Sequence, residues 1–253
     1  MELLEKIARL SEAQQAHLLN LVEAWLDGAG EDNGHSAHLP PRFTLYPLKS
    51  DYTLEDIRAI IRLFPKNKKW TCEDLQNEAI FPPDLKVRMQ LLQYKLYLMP
   101  RPSTTHQEIL TNIATFLNAF VRTNKLGKVY VAPFGLHIDE GTCLEPDIVL
   151  VLKPQLEKVS EKGLYEAPAL VVEVISRANY KKIREAKKAQ YAAFGIEEYW
   201  EIYPKKQAIQ IEVLARDEAG QPVYIPFASA TKEGKVQSKV IAGFALVLEE
   251  VFV

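Results

Sequence analysis

The chain has 253 residues and a formal net charge of −2, from 31 Lys and Arg against 33 Asp and Glu. That balance excludes a globally cationic surface, so contact with a polyanion has to come from a local patch. The length allows one large domain or one domain with an appendage, and two cysteines without CxxC spacing argue against both a zinc motif and a disulfide framework.

The amino terminus lacks a charged-then-apolar signal pattern, and no run approaches about 18 apolar residues, so a soluble cytoplasmic protein without membrane contact is expected. Residues 2 to 27 are predicted helical, with Leu3, Leu4, Ile7, Leu10, Leu18, Leu21 and Trp25 roughly on one stripe. Residues 27 to 41, rich in Gly, Asp, Asn and His and ending in Pro40-Pro41, read as a linker. This divides the chain into a helical extension and linker, 1–40, and a main domain, 41–253. The stripe of the extension serves either a dimer or partner contact or packing on its own core. His35 and His38 in the linker have no evident third ligand.

Thr53 is a plausible N-cap for a helix through Leu63. Lys66, Lys68 and Lys69 form a basic run that is either a phosphate-facing patch or a solvated face, and Trp70 to Leu75 begins another helix. Val87 to Met99 reads as a strand or hairpin stopped by Pro100 and Pro102. Thr105-His106-Gln107-Glu108 fits a capping box for a helix with Ile109, Ile113, Phe116, Leu117 and Phe120 on one stripe. Strands are expected at 128–132 and 136–139, from Asp147 through Leu152, and around Glu173. A second helix over 180–194 ends at Gly195, a suitable C′ glycine. A hairpin of 198–202 with 208–213 follows, then short strands near 222–226, 236–241 and 244–248. The order predicts a mixed sheet flanked by helices, α/β or α+β.

Two residues in this pattern break its logic. Asp147 opens the apolar run Ile148-Val149-Leu150-Val151-Leu152, and Glu173 interrupts Leu170-Val171-Val172-Glu173-Val174-Ile175. Such runs read as central strands covered on both faces, where a carboxylate is costly unless paired or bound to a metal. Two of them suggest a shared cation. Phosphodiester hydrolysis needs charge neutralised on the phosphate and water activated beside it. A Mg²⁺ ion on Asp147, Glu173 and the carbonyl of Val174 would serve both needs. A lysine would orient that water or stabilise developing charge. At 100° per residue the apolar stripe of the second helix passes through Ile183, Lys187, Tyr191 and Phe194. Lys187 therefore lies on the sheet-facing side, while Lys181, Lys182, Arg184 and Lys188 read as a solvated or phosphate-facing rim.

Glu145-Pro146-Asp147, Val172-Glu173-Val174-Ile175-Ser176, Lys187 with Tyr191, Gly195-Ile196 and Glu198-Tyr199-Trp200 together resemble the Uma2 family of the PD-(D/E)XK nuclease superfamily. The likeness covers about residues 85–252, including Met99 to Ser103 before His106 and a final Gly243-Phe244-Ala245-Leu246. It implies a restriction-endonuclease-like core, a Mg²⁺ or Mn²⁺ cofactor, DNA as substrate, and a homodimer. Asp147 and Glu173 match the family's two acidic positions. Its lysine comes from the following helix at the position of Lys187, whereas the superfamily position two after the glutamate holds Ile175. His106 matches a frequent histidine, a possible substrate contact at a helix start. The sequence departs from the family at Tyr94-Lys95 (usually Gly-Glu), at Ser176-Arg177 and at Tyr203-Pro204. Glu108 is the nearest substitute for the missing acid, although its place in the capping box already explains it. A nuclease-like fold kept for nucleic-acid binding or protein interaction stays open as the alternative.

Overall fold

The computed structural model describes residues 52–253 except 83, 84, 86, 100 and 177–180. The expected amino-terminal helices, the linker and the boundary at residue 40 lie outside the described residues. What is described falls into two units. The smaller includes 52–68 and holds helix α1 (Leu54–Arg62), whose N-cap Thr53 forms a reciprocal capping box with Asp56. The larger comprises Lys69–Glu73 and Val87–Val253. Helix α2 (Cys72–Gln76) begins in its first segment.

Two six-stranded sheets dominate the larger unit. One has the order β2-β1-β5-β4-β8-β7, from β1 (Arg88–Leu92), β2 (Lys95–Met99), β4 (Leu136–Asp139), β5 (Thr142–Leu144), β7 (Val159–Ser160) and β8 (Gly163–Leu164). The other has the order β12-β11-β10-β9-β6-β3, from β3 (Gly127–Val131), β6 (Ile148–Leu152), β9 (Leu170–Val174), β10 (Glu198–Tyr203), β11 (Ala208–Arg216) and β12 (Pro222–Thr231). In this second sheet only the β9–β10 pair is parallel. A separate pair, β13 (Lys235–Gln237) and β14 (Ala245–Val247), precedes the closing helix α5 (Leu248–Val251).

Alternation along the central strands feeds two cores. Ile148, Leu150, Leu170, Val172, Trp200 and Ile202 point to one face and pack with Ile109, Ile113 and Leu117 of helix α3 (Thr104–Thr123). Val149, Val151, Val171 and Tyr199 point to the other, where they meet Tyr191 of helix α4 (Lys181–Phe194) and Leu92, Leu136 and Leu144 of the first sheet. Both faces are thus covered, as the unbroken apolar runs require. Helix α4 ends in a Schellman motif: Gly195 has φ +95°, its amide donates to the Ala192 carbonyl, and Ile196 donates to Tyr191. Ile196 and Tyr191 are both fully buried, so the cap also packs.

The chain differs from expectation at the start of α3. Its N-cap is Ser103, whose hydroxyl accepts from the His106 amide at 3.2 Å, rather than Thr105. Ser103 offers the same oxygen two residues earlier, so Thr105 and Glu108 lie inside the helix and their capping box does not form. Strand β12 runs on to Thr231, and the segment expected as a strand to 241 pairs only over Lys235–Gln237. Among the described residues no helix is long and apolar enough to cross a membrane.

Candidate active site

Strands β6 and β9 are antiparallel, with Ile148 opposite Val172. One further step along each chain brings Asp147 opposite Glu173, on the face that meets α4. The register of two adjacent strands, not a loop, therefore makes the carboxylates neighbours. Asp147 is 7 % exposed. Its Oδ2 accepts from the Val174 amide at 2.8 Å, and its Oδ1 lies 3.2 Å from Nε2 of His106, in the first turn of α3. Its own carbonyl accepts from the Ala132 amide, which fixes the backbone just before β6.

Helix α4 supplies the second half. Lys187 and Tyr191 are four residues apart and share a face. Tyr191 donates its hydroxyl to Oε1 of Glu173 at 2.6 Å, and the Lys187 ammonium pairs with the same oxygen. Lys187 is only 8 % exposed, so the ion pair replaces the hydration it has lost. Burial pushes the Glu173 carboxyl above the usual range. Lys187 opposes that rise and the nearby Asp147 carboxylate adds to it. Burial likewise holds the Tyr191 hydroxyl well above its ordinary value, so it stays a neutral donor.

The structure thus brings Asp147, Glu173, Lys187, Val174 and His106 together. Val174 contributes its amide to Asp147 while its side chain lies in the opposite core. His106 meets a carboxylate. The donor set fits a hard divalent cation: two opposed carboxylates in a buried place, only one ammonium against them, and no donor among the described residues to Oε2 of Glu173. Lys187 also borders a cavity of about 30 Å³ lined by Gln90, Leu92, Tyr97, Leu144 and Ile183, large enough for a water.

The polar row continues onto β10, at a position the sequence analysis did not single out. Glu201 on β10 stands in register with Glu173 and is 5 % exposed. It accepts from the hydroxyls of Tyr199 and Tyr203, and Nε of Arg184 lies 3.3 Å from its Oε1. Lys188 pairs with Glu212 of β11. Arg184 and Lys188 are therefore partners of sheet carboxylates and not the solvated rim expected of them. In the sequence Tyr191 figures in the apolar stripe and beside Lys187 in the family motif, with no role of its own; its hydroxyl, four residues after Lys187, is the signal that points to one. At the departure from the family pattern, Gln93 and Tyr94 form the β1–β2 turn with positive φ at both, and Lys95 is exposed.

Comparison with known proteins matches residues 74–248 to the Uma2 family model, described as "Putative restriction endonuclease". The chain belongs to the Uma2 family. A similar solved structure is that of a "putative nuclease belonging to DUF820" from Anabaena variabilis ATCC 29413. The identity is 15 %, the TM-score 0.54, and the alignment covers 65 % of this chain and 89 % of that one. At that identity the likeness establishes the fold alone, a restriction-endonuclease-like mixed sheet flanked by helices. No curated protein matches the chain.

Proposed function

We propose that this Uma2 protein is a divalent-metal-dependent DNA endonuclease that hydrolyses phosphodiester bonds. Asp147, Glu173 and the Val174 carbonyl would hold Mg²⁺ or Mn²⁺. The observation that carries this reading is the Lys187 ammonium on one oxygen of Glu173, opposite Asp147, with no donor among the described residues on the other oxygen. When bound, the cation supplies charge neutralisation at the phosphate and a water of lowered pKa.

The remaining work falls to the chain itself. Lys187 opposes the loss of charge that burial imposes on Glu173, and its ammonium orients water or stabilises charge that develops on the phosphate. Tyr191 fixes the rotamer of Glu173 from the same helix face. His106 and the Val174 amide hold Asp147 from two sides, and the His106 ring is the proposed contact for substrate phosphate. A cytoplasmic homodimer is the proposed assembly, which light scattering on the purified chain would check.

Plasmid DNA incubated with Mg²⁺ or Mn²⁺ should be nicked or cut by the wild type, with no product in chelator and none from Asp147→Ala or Lys187→Ala. Unchanged cutting in both variants overturns the assignment. DNA retention without any Mn²⁺ affinity would instead mark a binding-only protein.

A further inference from the structure

Away from the carboxylate pair, the larger unit gathers its two cysteines around a histidine. His137 on β4 and Cys143 on β5 are direct cross-strand partners, so their side chains share one face of the hairpin. Cys143 Sγ lies 3.3 Å from His137 Nδ1. Cys72, at the start of α2, is laid over the same hairpin: its amide donates to the Glu140 carbonyl at 2.9 Å and its thiol to the Asp139 carbonyl at 3.2 Å. One ligand atom from each of the three lies within 4.8 Å of the others. Around a tetrahedral Zn²⁺, bonds of about 2.3 Å to sulfur and 2.0–2.1 Å to nitrogen set ligand atoms about 3.5–3.8 Å apart. The cluster needs only a small contraction to reach that spacing.

The histidine is also prepared for the task. Nε2 of His137 lies 2.8 Å from the Lys162 carbonyl, a partner that can only accept. The proton therefore sits on Nε2 and leaves the Nδ1 lone pair facing Cys143. That is the arrangement by which an outer carbonyl selects the tautomer of a metal-binding imidazole. The ring is 7 % exposed and is stacked on Tyr165 with centroids 4.2 Å apart, which fixes its plane. Both cysteines are half-buried residues.

We propose that Cys72, His137 and Cys143 form a second metal site, for a thiophilic divalent cation of the Zn²⁺ class. Two sulfurs and an imidazole nitrogen suit such an ion and reject Mg²⁺, so the site is chemically separate from the oxygen-donor centre. A fourth position remains for water. Bound there, the ion ties the segment Lys69–Glu73 to the β4–β5 hairpin.

The test is a Co²⁺ titration of the full chain, stripped with chelator and kept reduced. One Co²⁺ per chain should bind with sulfur-to-metal charge-transfer absorption and tetrahedral d–d bands, both removed by an equivalent of Zn²⁺, and Zn²⁺ should raise Tm. Cys72→Ser changes a half-buried residue at a helix start, and should weaken Co²⁺ binding on the order of a hundredfold or more while far-ultraviolet circular dichroism is unchanged. Asp147→Asn should leave the charge-transfer band intact, which separates this site from the proposed nuclease centre. Absence of the band in the reduced wild type, its persistence in Cys72→Ser, or its loss in Asp147→Asn overturns the proposal.

Discussion

Two glutamates in neighbouring strands, on opposite faces of one sheet, are buried in contrasting ways. Glu198 of β10 points toward the α3 core and is fully buried. Its Oε1 accepts from the Trp200 indole, and its Oε2 accepts from the amides of Lys239 and Val240 at 2.8 and 2.9 Å. Every donor is neutral and both oxygens are closed. Glu173 of β9 points toward α4, where a tyrosine hydroxyl and a lysine ammonium crowd onto one oxygen and the other has no donor among the described residues. A carboxylate whose oxygens are all engaged by the backbone and an indole is architecture. One held by a cation and left partly open is equipped to take a ligand.

The first way to break the comparison is through chemistry. Asp147→Ala and Lys187→Ala should each lower the rate of metal-dependent DNA cutting by about a thousandfold, or about 4 kcal/mol in the barrier. Glu198→Ala should spare the chemistry and damage the fold. The buried Trp200 indole loses its acceptor, as do the part-buried amides of Lys239 and Val240, which predicts a loss of about 2 kcal/mol or more in urea unfolding.

The charged pair gives the next effect. Lys187→Met leaves Glu173 buried without its cation and should destabilise by about 3 kcal/mol at neutral pH. Adding Glu173→Gln should recover most of that, a coupling measurable in a double-mutant cycle. Because the folded Glu173 carboxyl holds its proton to higher pH than the unfolded one, its contribution to stability is full below the ordinary glutamate range. It is lost as pH rises through the raised value. Relative to Glu173→Gln, wild-type stability should therefore fall across that window, and Mn²⁺ should cancel the fall. A flat difference would mean that Glu173 is not titrating in an unusual place. Arg184→Ala is the smallest change expected, about 1 kcal/mol, because its partner Glu201 keeps two tyrosine hydroxyls.

Much of the site was legible because each key residue contradicts its surroundings. Asp147 and Glu173 are anions in apolar runs, and Lys187 is a cation in an apolar helical stripe. Glu198 and Glu201 carry no such contradiction in the sequence. Alternation in Glu198-Tyr199-Trp200-Glu201-Ile202 reads as an ordinary strand, and only the coverage of both faces turns its acids into buried ones. Arg184 and Lys188 misled for a similar reason: a 100° step off the stripe normally reaches water, but β10 and β11 extend beneath the helix. The Ser103 cap was missed because two nearby side chains offer the same oxygen. The convergence of Cys72 on His137 and Cys143 depends on tertiary packing, which residue spacing does not encode.

The central claim is tested most directly by a crystal soaked in Mn²⁺ and measured for anomalous scattering. The account predicts a peak within coordination distance of both Asp147 and Glu173 that disappears in Glu173→Gln. A wild-type protein that cuts DNA in Mn²⁺ yet shows no peak between those two carboxylates would contradict it.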